Sequence, residues 1–510
     1  YRLGTINVQN NIPDIDTEII KKLISLNPGA IFNMSALEWV GQKISDELGN
    51  RGYPQMSIVP TLQKDSVNRV VNVTFIVNKA PKVFINRINI TGNVKTSEKV
   101  IRREFRIAEG DIFNRNELAR ADRGIRNLDY FERSDIKIVK SPDAADRYDV
   151  NIDVQEKSTA SIGFDVGYSS NEGGFGSISF AERNLFGTGK YLNAMVRRSQ
   201  RRLSFSLGMT DPHFMDRDLS LSGTFFTHSS GAKSGSGFDG EAQPYSQTTV
   251  GVRTALGYEI ADDLYHEIAY TIKQDKLSTK SERQSLLILE QKGRFVTSAI
   301  SHTVTYNRLD NNVVPKNGYV VSGSQEYAGL GGNTGYLKHE VDGKIFKSFS
   351  NNRITIKVYG EAGVINGING KTVRISERFS LGDYNLRGFA GGGAGPRIKA
   401  GRQGGGEGLN GQKYYSGGVE MTFPVGLPDE MNVKGAVFTD IGGVWDFEVQ
   451  KGSRYNKDDV WNDKSPRMSV GAGVLWTTRI MPIRVDWAIP VRYKKYDEQQ
   501  RFHIRMSTSF

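Results

Sequence analysis

The sequence predicts two small α+β units of β-α-α-β-β order followed by a 16-stranded antiparallel transmembrane β-barrel. Three observations carry this. The first 156 residues repeat, apolar and polar side chains alternate from about residue 160 to the end, and the long connections all follow odd-numbered strands. Alternation with period two over such a length means strands with two chemically different faces.

Apolar alternation in GTINVQ returns in NRINITGN, and each is followed by two helical stretches and two strands. Tyr53 stands opposite Tyr130, and Val73, Phe75 and Val77 match Val150, Ile152 and Val154, each pair 77 residues apart. Ser97 before EKVIRREF reads as a capped helix start. NRNELARADRGIRNL reads as a longer helix with Leu118, Ile125 and Leu128 on one face. Residues 1–80 and 81–157 are therefore two tandem units, and 158–510 form the barrel. Units of this kind are mostly protein-binding scaffolds, because function lives in sites rather than in folds.

In the barrel region Ile162, Phe164, Val166 and Tyr168 alternate with Ser161, Gly163, Asp165, Gly167 and Ser169; Leu203, Phe205, Leu207 and Met209 alternate with small polar residues. Sixteen such segments begin near 161, 174, 189, 202, 218, 245, 264, 296, 318, 336, 352, 413, 433, 467, 482 and 501, an even number as bacterial single-chain barrels require. Connections after even strands are short (NLFGTG, DPHFMDR, SNN, GLPDE, TRIMP). The long ones, GAKSGSGFDGEAQPY and those from Leu277, Val364 and Phe447, follow odd strands, so one rim has turns and the other loops. Phe423, Trp476 and Phe510 fall beside the short-turn rim and Tyr415 near the other, where interfacial girdles belong.

The chain ends in RFHIRMSTSF. Its even positions, Phe502, Ile504 and Met506, are expected to face lipid, and Arg501, His503 and Arg505 a polar interior. Hydrocarbon offers no partner to a backbone N–H or C=O, so this strand must pair on both edges, one neighbour being the first barrel strand. The candidate seam comprises Ile162, Gly163, Phe164 and Gly167 against Thr508, Ser509 and Phe510. Glycines either weaken this edge for opening or accommodate lumen contents; both readings stand.

The longest loop, about 364–412, contains LRGF followed by a glycine-dense stretch. A phosphate cradle would need a strand before it, a helix after it and Lys-Ser/Thr at its end, all lacking here. Leu386, Arg387, Gly388 and Phe389 instead fit a segment folded inward, with the arginine on a carboxylate and the glycine permitting close backbone approach. In NVKGAVFTDIGGVW the alternation turns Val433, Gly435, Val437, Thr439 and Ile441 outward and points Phe438 and Asp440 into the lumen, so Asp440 is the expected partner of Arg387.

Composition narrows the function classes. Hydrophobic residues make up 38% of the chain and no run is long enough for a transmembrane helix, which says nothing against a barrel that uses every second residue for lipid. There is no cysteine, so disulfide and thiolate chemistry are excluded. The net charge is +11, yet only one basic cluster occurs, MVRRSQRRL, and nucleic acid is not expected as a partner. Arg197, Arg198, Arg201 and Arg202 in that cluster, on the long-loop rim, are candidates for binding lipopolysaccharide phosphates, a solvated loop being the alternative. No metal site has adequate spacing and no cofactor is implied. The chain opens in YRLGTINVQN without a leader, as expected of a processed chain or a fragment.

LRGF in a late loop, FTDIGG in the next strand, NLFGTG and TDPHF in the first short turns, the repeated units and terminal Phe510 together resemble the BamA family, barrel subunits of the bacterial β-barrel assembly machinery. Leu386 departs from the family's usual valine and leaves Arg387, Gly388 and Phe389 in register. The resemblance implies a non-enzymatic machine without cofactors that folds and inserts outer-membrane β-barrel proteins. The amino-terminal units would be periplasmic POTRA domains, the last two of a usual five, that receive unfolded clients and dock partner lipoproteins through sheet edges. The seam between first and last strands would be a lateral gate where a client strand pairs.

Two-partner secretion transporters share two such units and a 16-stranded barrel; they usually begin with a plug helix, and none is found before Arg2. A barrel enzyme is the rival from another class. The six histidines are scattered, at 213, 228, 266, 302, 339 and 503, and YHEIAY lacks the second histidine of a zinc-hydrolase motif. A passive porin would not need the first 156 residues.

Overall fold

The computed structural model describes residues 1–78, 80–142, 144, 146–170, 172–231, 245–279, 286–351, 353–399, 406–449, 453, 457–478 and 481–507. These form two compact units, Tyr1–Thr159 with Arg183–Gly189, and Ala160–Glu182 with Lys190 onward.

The first unit holds the two repeats. In one, β1 (Arg2–Asn10), α1 (Thr17–Leu23), α2 (Met34–Asn50), β2 (Pro60–Asp65) and β3 (Val70–Val77) build a sheet of order β1-β3-β2. In the other, β4 (Phe84–Thr91), α3 (Glu98–Arg102), α4 (Arg115–Asn127), β5 (Phe131–Lys140) and β6 (Arg147–Glu156) repeat the plan as β4-β6-β5. The last strand of each repeat is central and buries every second residue, Val73, Phe75 and Val77 or Val150, Ile152 and Val154, beneath its helices. Asn33 and Asn114 cap α2 and α4, their side chains accepting the orphan N–H groups of Ala36 and Glu117. Ser97 does not cap with its side chain. The helix starts there because Val100 N–H donates to the Ser97 carbonyl (2.9 Å), a tight turn that needs no hydroxyl. The repeats join through Val83 N–H on the Gly52 carbonyl (2.8 Å) and through Arg115, which donates to Asp46 (2.9 Å) and to the Pro54 carbonyl (2.7 Å).

The second unit is a closed antiparallel barrel of sixteen strands. They are β7 (Ala160–Ser169), β8 (Gly173–Leu185), β9 (Lys190–Ser199), β10 (Arg202–Asp211), β11 (Ser220–Ser230), β12 (Ser246–Ala261), β13 (Leu264–Ser278) and β14 (Gly293–Asn307). There follow β15 (Gly318–Gly332), β16 (Tyr336–Phe349), β17 (Ile354–Gly367), β18 (Lys413–Pro424), β19 (Val433–Trp445), β20 (Arg467–Thr477), β21 (Pro482–Arg492) and β22 (Phe502–Ser507). Each pairs with its sequence neighbours, and β22 closes on β7. The expected fold class is borne out. Outward positions are large and apolar, among them Phe164, Ile272, Val341, Val437 and Trp487, whereas Asp440, Ser469, Asp486 and His503 are buried inside. No helix among the described residues is long and apolar enough to cross a membrane.

The loops sort by rim as the alternation requires. One connection on the short-turn rim is longer than the rest: residues 308–317 are kept compact by Asp310, whose carboxylate accepts from Lys316 N–H (2.9 Å) and Asn317 N–H (3.0 Å). Phe423, Trp476 and Tyr415 hold outward positions in β18 and β20, and Phe510 lies outside the described residues.

A charge on the lipid face tests the assignment of faces. Val437→Arg, near the middle of β19, should cost about 2–4 kcal/mol of folding free energy in a bilayer. Ser324→Arg should cost far less, because Ser324 faces a lumen cavity of about 290 Å³ lined also by Glu340, Asp342 and Glu361. Equal losses in refolding yield into liposomes would contradict the two-faced barrel.

Candidate functional site

After β17 the chain turns into the barrel and builds a second core there. Val373, Phe379, Leu381, Leu386, Phe389 and Ala394 pack with Val444 and Ile365 of the wall. LRGF is its centre, with Leu386 and Phe389 fully buried. Gly388 has φ +93°, and a Cβ there would lie 3.1 Å from Ser469 and 3.4 Å from Pro490, so both backbone and space call for glycine.

Arg387 is 3% exposed and meets four wall residues. Its Nε and Nη2 donate to the two oxygens of Asp440, both at 2.8 Å, and its own backbone N–H adds a third bond to the same carboxylate (3.1 Å). Nη1 donates to Glu420 (2.6 Å) and Nη2 to the Tyr359 hydroxyl (3.2 Å), which itself donates to Asp440 (2.6 Å). The guanidinium lies over the Phe438 ring, 3.3 Å from its centroid. The structure thus brings Arg387, Phe438 and Asp440 together in one contact.

Five participants were not read from the sequence. Glu420 of β18 also takes Nη1 and Nη2 of Arg484 (3.1 and 2.6 Å) and Lys357 (3.4 Å), Arg484 Nε continues to Asp486 (2.7 Å), and Tyr359 is the fifth. Arg387, Arg484 and Lys357 are balanced by Asp440, Glu420 and Asp486. That balance matters because a lone buried ion costs several kcal/mol, whereas paired and hydrogen-bonded ions largely recover it. Glu420, Arg484 and Tyr359 all sit at inward positions, so alternation placed them in the lumen; which of them meet across non-adjacent strands had no sequence signal.

The seam is made of few bonds. Arg505, Met506 and Ser507 of β22 register with Ser169, Tyr168 and Gly167 of β7. Beyond them, Ser170 N–H donates to the Ile504 carbonyl (3.1 Å), and Ile504 N–H to the Ser170 hydroxyl (2.8 Å). By contrast β7 pairs with β8 along its whole length, from Ala160 to Ser169. Among the described residues the registered seam pairs are the three at Gly167, Tyr168 and Ser169. Ile162 and Phe164 are exposed on the outward face. A Cβ on Gly163 would lie 2.6 Å from the Ser179 hydroxyl, and one on Gly167 2.2 Å from the Met506 carbonyl, so both glycines serve close approach. Thr508, Ser509 and Phe510 lie outside the described residues. Of the basic cluster, Arg197 (3.0 Å) and Arg202 (3.8 Å) pair with Glu172, while Arg198 is exposed opposite Leu203 on the outward face.

Fold and site together define a class: sixteen-stranded membrane barrels closed by first and last strands, with a loop tied inside and tandem α+β repeats preceding them in sequence. Residues 184–510 match the Omp85 superfamily domain, and residues 1–80 and 83–157 match the POTRA family, described as surface antigen variable number repeat. The first match spans more than half of the chain, which belongs to the Omp85 superfamily. The outer membrane protein assembly factor BamA of Neorickettsia risticii is 28% identical over 96% of this chain and 63% of its own length. That of Neisseria meningitidis serogroup B is 25% identical over 100% of this chain and 67% of its own. The chain thus spans about two thirds of the length of these relatives. In fold, the crystal structure of BamA from Haemophilus ducreyi lacking POTRA domains 1–3 superimposes with a TM-score of 0.84 at 22% identity, over 100% of both chains. CdiB from Acinetobacter baumannii gives 0.53 at 14% identity, over 99% of this chain and 89% of that one.

Removing the arginine takes the cation from Asp440 in the barrel wall and leaves it the Tyr359 hydroxyl. Arg387→Ala should weaken the loop's attachment by about 3–5 kcal/mol, and Arg387→Lys should restore only part, since an ammonium cannot form the two-pronged bond. Limited proteolysis of the 368–412 segment in the folded barrel measures both; wild-type resistance in Arg387→Ala would refute the tether.

Proposed function

We propose that this chain folds and inserts β-barrel proteins into the bacterial outer membrane, a client strand pairing at the seam between β7 and β22. One observation carries the reading: among the described residues β7 registers ten residues with β8 and three with β22, in a region where lipid supplies no hydrogen-bond partner. A client's terminal strand pairs with such an edge by main-chain bonds, which are indifferent to side-chain sequence, so one seam serves many clients. Neither nucleotide nor other cofactor is needed, because the gain comes from the hydrogen-bond ladder and from burial of the client's apolar face in lipid. The protein acts as a template rather than an enzyme.

The repeats fit a periplasmic role in receiving unfolded clients and docking lipoproteins. β1, β2, β4 and β5 are edge strands, and Thr61, Leu62, Gln63 and Lys64 of β2 are exposed, as strand addition requires. Arg198, on the outward face at the long-loop rim, suits contact with lipid or lipopolysaccharide phosphates.

A disulfide across the seam tests this reading. The chain has no cysteine of its own, and Tyr168 and Met506 are direct partners. Tyr168→Cys with Met506→Cys, oxidised, should stop insertion of an unfolded barrel client in liposomes carrying the whole assembly complex, and reduction should restore it. Insertion at the wild-type rate with the bridge formed would sink the proposal.

A further inference from the structure

The loop that carries the Arg387 tether also reaches the seam. Three residues before Arg387, the Tyr384 hydroxyl stands beside the Ser169 side chain, and the Arg505 guanidinium lies over its ring, 4.6 Å from the centroid. Ser169 and Arg505 are partners across the seam. One side chain from the loop therefore touches both halves of a single cross-seam pair.

The neighbouring residues strengthen the grip on β22. Asp383 Oδ1 lies 3.1 Å from His503 Nδ1, and Gly388 N–H donates to His503 Nε2 (3.0 Å). A neutral imidazole protonated on Nδ1 makes both bonds. The same Nε2 lies 2.8 Å from the Gln500 carbonyl, a bond open only to the tautomer protonated on Nε2, which gives up Gly388. The loop then runs antiparallel to the residues entering β22, with Gly388 opposite Gln500, Phe389 opposite Gln499, and Ala390 N–H on the Glu498 carbonyl (3.0 Å). The residues leading into β22 are thus tied to the loop inside the barrel.

Anchor and grip differ in how easily they let go. Arg387 is 3% exposed and saturated with bonds, whereas Tyr384 is 47% exposed and holds by its hydroxyl beside Ser169 and one cation–π contact. Release strands nothing. Arg505 keeps Asp486 (3.6 Å), and the Ser169 hydroxyl keeps the Glu172 N–H (3.1 Å).

We propose that Tyr384, with Asp383 on His503, is a clasp that holds the seam shut from the lumen, and that the seam opens when Tyr384 leaves the Ser169–Arg505 pair. These are positioning residues, and the proposal rests on the seam being the place of client entry.

Hydrogen exchange of the full chain in lipid nanodiscs, without client, tests it. Tyr384→Ala should speed exchange of peptides covering 165–170 and 502–507 by about tenfold and leave β18 and β19 unchanged. Tyr384→Phe, which keeps the ring and loses the hydroxyl, should give a smaller rise at the same two peptides and serves if the alanine variant does not fold. Unchanged exchange at the seam in a folded variant, or a rise spread equally over β18 and β19, would overturn the clasp. The two proposals fail separately: client insertion through a seam locked by the oxidised Tyr168→Cys, Met506→Cys pair removes client entry there, whatever the exchange rates are.

Discussion

A hydrocarbon layer has no hydrogen-bond partner to offer, and that constraint shapes every level of this protein. It forces the strands to close, so the last strand must find the first. It also dictates that each strand presents apolar side chains to lipid at every second position, leaving the alternate positions for a polar interior. Among the described residues the seam has the fewest registered pairs of any junction in the barrel, Arg505, Met506 and Ser507 meeting Ser169, Tyr168 and Gly167. The weakest ladder thus falls where the chain's two barrel ends meet, the one junction with no connecting turn.

A polar interior raises a second problem, because side chains turned inward carry charges that must be matched. Here matching is done by a loop rather than by the wall alone. Arg387 enters between Asp440 and Glu420, and Glu420 is shared with Arg484 and Lys357. Deleting one member leaves a buried charge unpaired, so the network behaves as a unit and specifies a single loop position. Leu386 and Phe389 on either side add an apolar core inside a membrane barrel, which few residues of the wall could supply themselves.

The same loop thereby acquires two attachments of different strength. A buried, bidentate, charge-balanced contact at Arg387 locates it, and a half-exposed ring at Tyr384 lies against the seam. Elements that move are drawn from the less stable part of a structure. A loosely held residue beside the least-paired strands, adjoining a rigid anchor, places mobility next to the edge that a client strand would join.

Period-two alternation makes most of the architecture legible in the sequence itself. The beginnings of the sixteen strands, the sorting of loops by rim and the inward direction of Phe438 and Asp440 all follow from local chemistry, because each strand must satisfy lipid on one face by itself. The central strands of the repeats were equally plain in Val73, Phe75 and Val77 and their counterparts. Other features belonged to the tertiary structure alone. The Ser97 hydroxyl makes no capping bond although its sequence context favours one. Glu420 and Tyr359 come to Arg387 from paired strands, but Arg484 reaches Glu420 from β21, three strands away, and Asp383 meets His503 across more than a hundred residues. Alternation along a strand decides which side a residue takes, since that is a local competition between lipid and water; which residues on the inside then touch is decided by barrel closure and the path of one loop, and both are global.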